Sequence, residues 1–207
     1  MSKGKKKSNK KKKAPVSKQS PLIILSIPII ILAIYAGLTM KKHEEVKPPE
    51  KKGPVPAEYI PIYKAAAKKY DIPWYLLAAH HRVETRFSKM TTMTSPVGAE
   101  GPMQFMPCTF VGWKYPSCEG LGKGSIPKVD LEDPSVIKKY GGYGVDANGD
   151  GKADPWNLED AVFSAAKFLS KNGASKGNIT QAVYTYNHSE RYVKDVLYYA
   201  DLYKKLY

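Results

Sequence analysis

The stretch PWYLLAAHHRVETRF, residues 73–87, decides how this chain is read. Pro73 suits a helix entry, because its fixed φ is helical and its missing N–H is not needed in the first turn. Leu76, Ala79 and Val83 then recur on one helical face. The helix ends on Glu84, an acid set between Val83 and Phe87. A carboxyl there is either an exposed helix-end group, the usual fate of Glu, or a sheltered acid whose pKa is raised by apolar surroundings.

Helical patterns continue on both sides. Pro61 can open a helix that runs through Lys69. Asn157 is a good N-cap for a helix from Leu158 to about Lys171, with Val162, Ala165, Ala166 and Leu169 on its apolar face and Gly173 to stop it. Ile179, Ala182, Val183 and Tyr186 repeat at helical spacing, as do Val193, Val196, Leu197, Ala200 and Tyr203. Residues 91–156 are rich in Gly and Pro and read as loops with short helices, and no run alternates as a strand would. Residues 58–207 are therefore expected to form one mostly α domain of ordinary size.

The N-terminal quarter has another texture. Residues 1–20 are polar and carry nine Lys, and should be disordered. Residues 21–40, PLIILSIPIIILAIYAGLTM, hold no charge and are long enough for a transmembrane helix. A cleaved signal peptide is the rival, but Ile34-Tyr35-Ala36 is a poor cleavage site. The lysine excess before the span puts the N-terminus in the cytoplasm and the rest of the chain outside the cell membrane. Residues 41–57 read as a Pro- and Lys-rich linker.

The net charge is +14, yet residues 58–207 carry only +3 of it. A nucleic-acid-binding domain would show its basic stripe within the domain, so no nucleic acid is expected. The polylysine tail suits topology and anionic lipid. The cysteines, Cys108 and Cys118, suit a disulfide in an exported domain, with two free thiols as the alternative.

Three patches carry the chemistry: HHRVETRF (80–87), SPVGAEGPMQFMP (95–107) and YTYNHSERYVKDV (184–196). Glu84-Thr85, Gly101-Pro102-Met103-Gln104 and Tyr186-Asn187 stand in the order of motifs that the lytic transglycosylases with a lysozyme-like fold display. The chain resembles that family over about residues 65–200. GPMQFMP, YGVDANGDG and YNHS look most like its transglycosylase B branch. A departure is Thr85, where many members have Ser.

The resemblance implies a peptidoglycan lytic transglycosylase that cleaves the MurNAc-GlcNAc β-1,4 bond without water and forms 1,6-anhydro-MurNAc. Glu84 would act first as acid, then as base. The resemblance further implies that Gln104 contacts the glycan's N-acetyl groups and that Met103 packs on the sugar. Tyr186 and Asn187 would line the cleft, and Ser95 would add a hydrogen bond. Core packing is the other reading for Met103 and Tyr186. Most glycosidases use two carboxylates, and Glu100 is the obvious second acid, read as structural or rim. A hydrolytic muramidase of the same fold and a non-catalytic wall-binding protein are the alternative functions. A monomer is expected.

Asp146, Asn148 and Asp150 alternate, with Gly151 sixth and Lys152 seventh, as at the start of an EF-hand loop. Asn157 stands where the loop's bidentate Glu should be. The transglycosylase B resemblance implies a longer loop closed by Asp160, with Asp154 as a substitute. Structural calcium is the expectation. A metal-free Asp/Asn/Gly turn is the alternative.

Overall fold

The computed structural model describes residues 54–207. The polybasic tail, the apolar span at 21–40 and most of the expected linker lie outside the described residues. Among those described, no helix is long and apolar enough to cross a membrane.

The architecture is mostly helical, as the periodicity predicted. A 3-10 turn, Ala57–Tyr59, leads into α1 (Ile60–Tyr70), with Pro61 in the first turn. α2 (Trp74–Thr85) follows after Pro73. Three short helices come next: α3 (Pro107–Val111), α4 (Lys128–Glu132) and α5 (Pro134–Tyr140). The long helices α6 (Leu158–Lys171), α7 (Ile179–Asn187) and α8 (Glu190–Leu206) complete the chain. Extended pairing is confined, among the described residues, to isolated bridges that join Thr94 to Glu100 and Glu100 to Phe105.

α2 is the pivot of the core. It packs chiefly on α8, and also on α1 and α6. Leu76 through His81 are all buried, so the helix is enclosed on every side rather than along the stripe its spacing suggested. Such enclosure keeps its last turn, and Glu84 with it, in one place. α6 is capped as expected: Asn157 accepts from the N–H groups of Glu159 and Asp160. Its stripe Val162, Ala165, Ala166 and Leu169 is fully buried.

The packed domain reaches further back than the composition change at residue 58. Val55 is buried, and its backbone N–H and carbonyl each lie 3.3 Å from the Tyr207 hydroxyl. Cys108 and Cys118 are disulfide-bonded, with Cα atoms 5.5 Å apart.

Candidate active site

Glu84 occupies the last turn of α2. The chain leaves that helix through three successive non-glycine residues in the left-handed region: Arg86 (φ 54°), Phe87 (φ 62°) and Ser88 (φ 60°). Each such residue costs about 1–2 kcal/mol, so something must hold the turn. Phe87 is buried in the core. Ser88 Oγ lies 2.8 Å from His81 Nε2, and the Ser88 N–H donates to Thr85 Oγ1. Thr85 in turn donates to the Pro102 carbonyl at 2.8 Å. The residue after the acid thus fastens the first sequence patch to the second.

The third patch is fastened by Tyr186, whose hydroxyl donates to the Met103 carbonyl at 2.8 Å. The ring of Tyr186 lies parallel to that of Tyr192, with centroids 6.3 Å apart. Tyr192, from the start of α8, donates its hydroxyl to Glu84 Oε1 at 2.5 Å. The three patches therefore meet around one carboxyl.

Glu84 is half-buried as a residue, but its carboxyl is packed among Tyr192, Tyr186 and the core. Burial pushes its pKa up to about 8, and the Tyr192 hydrogen bond pulls in the opposite direction. Burial and the nearby Glu84 charge raise the tyrosines far above the usual range. Glu84 is thus an acid that can hold its proton at neutral pH.

On the far side of Tyr186 lies a cleft of about 320 Å³, whose walls do not include Glu84 itself. Gln104, Phe105, Trp113, Phe168, Tyr186 and His188 are among its walls. Tyr186 belongs to both places, lining the cleft and stacking on the tyrosine that holds Glu84. Trp113 and Leu121, both exposed, offer an apolar face at the cleft, of the kind on which a sugar ring packs.

Several expected roles change. Met103 is fully buried and belongs to the core. Its backbone carbonyl accepts from the Tyr186 hydroxyl. Ser95 closes its own turn, with Oγ accepting from the Ala99 N–H at 2.9 Å. Gln104 is in the cleft, but its amide nitrogen is spent on the carbonyls of Met93 and Gly101, which leaves the carbonyl oxygen to receive a ligand. Asn187 is exposed at the end of α7, next to the cleft residues Tyr186 and His188. Glu100 is bound through its backbone to Phe105. The groups acting on its side chain are Trp156, Asp154, Lys123 and Lys128, not Glu84. Tyr192 and His80 were missed. Tyr192 falls on the apolar stripe of α8, and nothing in its spacing sets it apart from core.

The Asp146–Asp160 segment is a closed loop. Asp146 accepts from the N–H groups of Gly149 and Gly151, and Asp150 from that of Lys152. Asp160 is buried and accepts from Ala147, Asn148 and Asp154. Asn157 serves as a helix cap, which explains its place where a bidentate acid was expected. Asp154 accepts from the Trp156 N–H. Among the described residues, no three His, Cys, Asp or Glu side chains converge as metal ligands.

Known proteins resemble this chain in part. The family model described as Transglycosylase SLT domain matches residues 136–181. That is less than a quarter of the chain, from α5 through the Asp/Asn loop and α6 into α7, and it excludes Glu84, Gly101–Gln104 and Tyr186–Asn187. The match supports a likeness to the lytic transglycosylase family over that segment. The L-Ala--D-Glu endopeptidase of Bacillus subtilis (strain 168) is 27% identical over 151 residues, 73% of this chain and 43% of that protein. The chain thus spans less than half the length of this curated relative. No solved structure matches.

Proposed function

We propose that the chain is a peptidoglycan lytic transglycosylase of the transglycosylase B type. It cleaves the MurNAc-GlcNAc β-1,4 bond and forms 1,6-anhydro-MurNAc. The observation that carries this reading is a single carboxyl, Glu84, sheltered and held by Tyr192, with Tyr186 standing between it and the cleft. Protonated near neutral pH, it gives its proton to the glycosidic oxygen as the C1–O bond breaks. Ionised, it takes the proton of the muramoyl C6 hydroxyl as that oxygen bonds to C1. One acid suffices for both steps because the second nucleophile belongs to the substrate. Burial and Tyr192 act on Glu84, while Trp156, Asp154, Lys123 and Lys128 act on Glu100, so neither carboxyl feels the other, which favours this course over a paired-carboxylate hydrolysis. Gln104, Tyr186 and Asn187 are the substrate contacts of this reading.

Mass spectrometry of digests of purified cell wall tests it. Anhydro-muramoyl ends are expected; reducing ends would mean a muramidase. Cut stem peptides with intact glycan would mean the endopeptidase activity named for the Bacillus relative.

The chain is proposed to be held at the cell membrane by residues 21–40, N-terminus inside, with the domain a monomer facing the wall. Recovery of an intact N-terminus in purified membranes is the expected result; a soluble trimmed form would exclude the anchor. Calcium is proposed as a structural ion in the 146–160 loop. Asp146, Asn148, Asp150, the Lys152 carbonyl and Asp160 would supply the oxygen ligands that suit a hard cation, once the carboxylates, now bound to backbone N–H groups, turn toward it. The melting temperature should rise in millimolar calcium through binding linkage. An unchanged value would leave the loop closed by its hydrogen bonds alone.

A further inference from the structure

His80 stands one helical turn before Glu84, so both side chains leave the same face of α2. The ring is fully buried. Its Nδ1 lies 2.8 Å from the Tyr192 hydroxyl, the same hydroxyl that reaches Glu84 Oε1. Its Nε2 is the buried side-chain polar atom without a partner among the described residues. A histidine that leaves one nitrogen bare in the core is kept there for what the other nitrogen does.

Resting on the transglycosylase reading, we propose that His80 is a positioning residue for Glu84. Its Nδ1–H donates to Tyr192, which fixes the tyrosine's own O–H on Glu84 Oε1 and leaves Oε2 as the oxygen that carries the acid proton.

The argument is one of hydrogen-bond direction. A tyrosine hydroxyl has one proton. Set between two polar atoms, it donates to one and accepts from the other. An ionised carboxylate only accepts, so in that state Tyr192 must donate to Glu84. His80 must then supply the proton that Tyr192 accepts. With its proton on Nδ1, the ring leaves a bare lone pair at Nε2, the atom found without a partner. The opposite tautomer would strand an N–H in the core. It would also set two lone pairs against each other whenever Glu84 ionised. Only the Nδ1–H form serves both protonation states of the acid. Burial pulls the His80 pKa down to about 3, so the ring stays neutral and keeps a single proton.

The protons balance without leaving this path. The Oε2 proton goes to the departing sugar oxygen, and the C6 hydroxyl proton returns to Oε2. His80 and Tyr192 keep theirs throughout. The ionisable groups that face Glu84 are Tyr192 from α8 and Tyr186 from α7, whose ring lies 4.9 Å from that of His80.

Two measurements on the full-length protein test this. In 15N-histidine NMR at neutral pH, the signal lost in His80→Asn should belong to a neutral Nδ1–H ring. In kinetics, His80→Leu should lower kcat by up to about 100-fold, the scale of a misplaced catalytic group, with KM within about two-fold of wild type. The alkaline limb of its pH profile should move to higher pH, since ionised Glu84 loses its oriented donor. His80→Asn, whose side-chain N–H can take the place of Nδ1–H, should recover most of the rate. An Nε2–H ring, a His80→Leu variant with wild-type kcat and pH limb, or equal losses in both variants would overturn the proposal. If Glu84→Gln kept activity, the reaction assigned to the site would fall, while the tautomer would still decide what His80 does.

Discussion

Glu84→Gln should lose at least about 10³-fold in kcat, because the one group that gives and takes the proton is gone and general acid–base catalysis contributes on that scale. Its stability should move the other way. Burial raises the Glu84 pKa in the folded protein to about 8, from an ordinary value of 4.5. Between these two pH values the folded state holds a proton that the unfolded state has released. The wild type therefore loses stability as pH rises through this window, and above about 8 it bears the full cost of a buried charge. Gln has no charge to bury. The variant's melting temperature should match the wild type near pH 4 and exceed it increasingly up to about pH 8. Wild-type kcat/KM should fall on the alkaline side near pH 8, as Glu84 ionises before substrate binds. A variant that turned over at a substantial fraction of the wild-type rate would end the assignment. So would one whose stability followed the wild type across the whole range.

The helices were legible because their apolar residues recur at one period and their ends carry recognisable signals. Pro61, Pro73 and Asn157 each stand at a helix start. The burial of α2 on every side was not legible. Leu77, Ala78 and His81 fall off its apolar stripe, and only the tertiary arrangement encloses them. The meeting of the three patches came from resemblance, since nothing in residue spacing says that position 186 reaches position 103. Two residues do structural work beside the roles that the resemblance implied. Met103 and Ser95 were given to the sugar from their place in a motif, but a motif can constrain a loop as well as a ligand. Here Met103 fills the core and Ser95 closes a turn. Thr85, the departure from the family's Ser, ties the helix end to Pro102 through its hydroxyl. Ser carries the same group, so the departure from the family pattern preserves the bond.

The second large effect is expected at Gly101, and it concerns folding. Gly101 has φ +76°, and a Cβ built there would lie 2.0 Å from the Pro155 carbonyl oxygen and 2.8 Å from its carbon. Backbone cannot swing aside as a flexible side chain can. Gly101 is also anchored: its N–H donates to the Met93 carbonyl, and its own carbonyl accepts from the backbone and side-chain nitrogens of Gln104. This is where the loop that bears Gln104 touches the loop that precedes α6. Gly101→Ala should cost about 3 kcal/mol or more, as overpacking against a fixed wall does. For a domain of this size the melting temperature would fall by about 6–12 °C. Gly177→Ala supplies the comparison. Its φ is +84°, but nothing lies within 4 Å of the added carbon. That change should cost only the left-handed strain of about 1–2 kcal/mol. The difference between the two isolates the clash from the dihedral. Equal melting temperatures would mean that the Gly101 and Pro155 backbones are not in contact, and that Gln104 is held in the cleft by some other means.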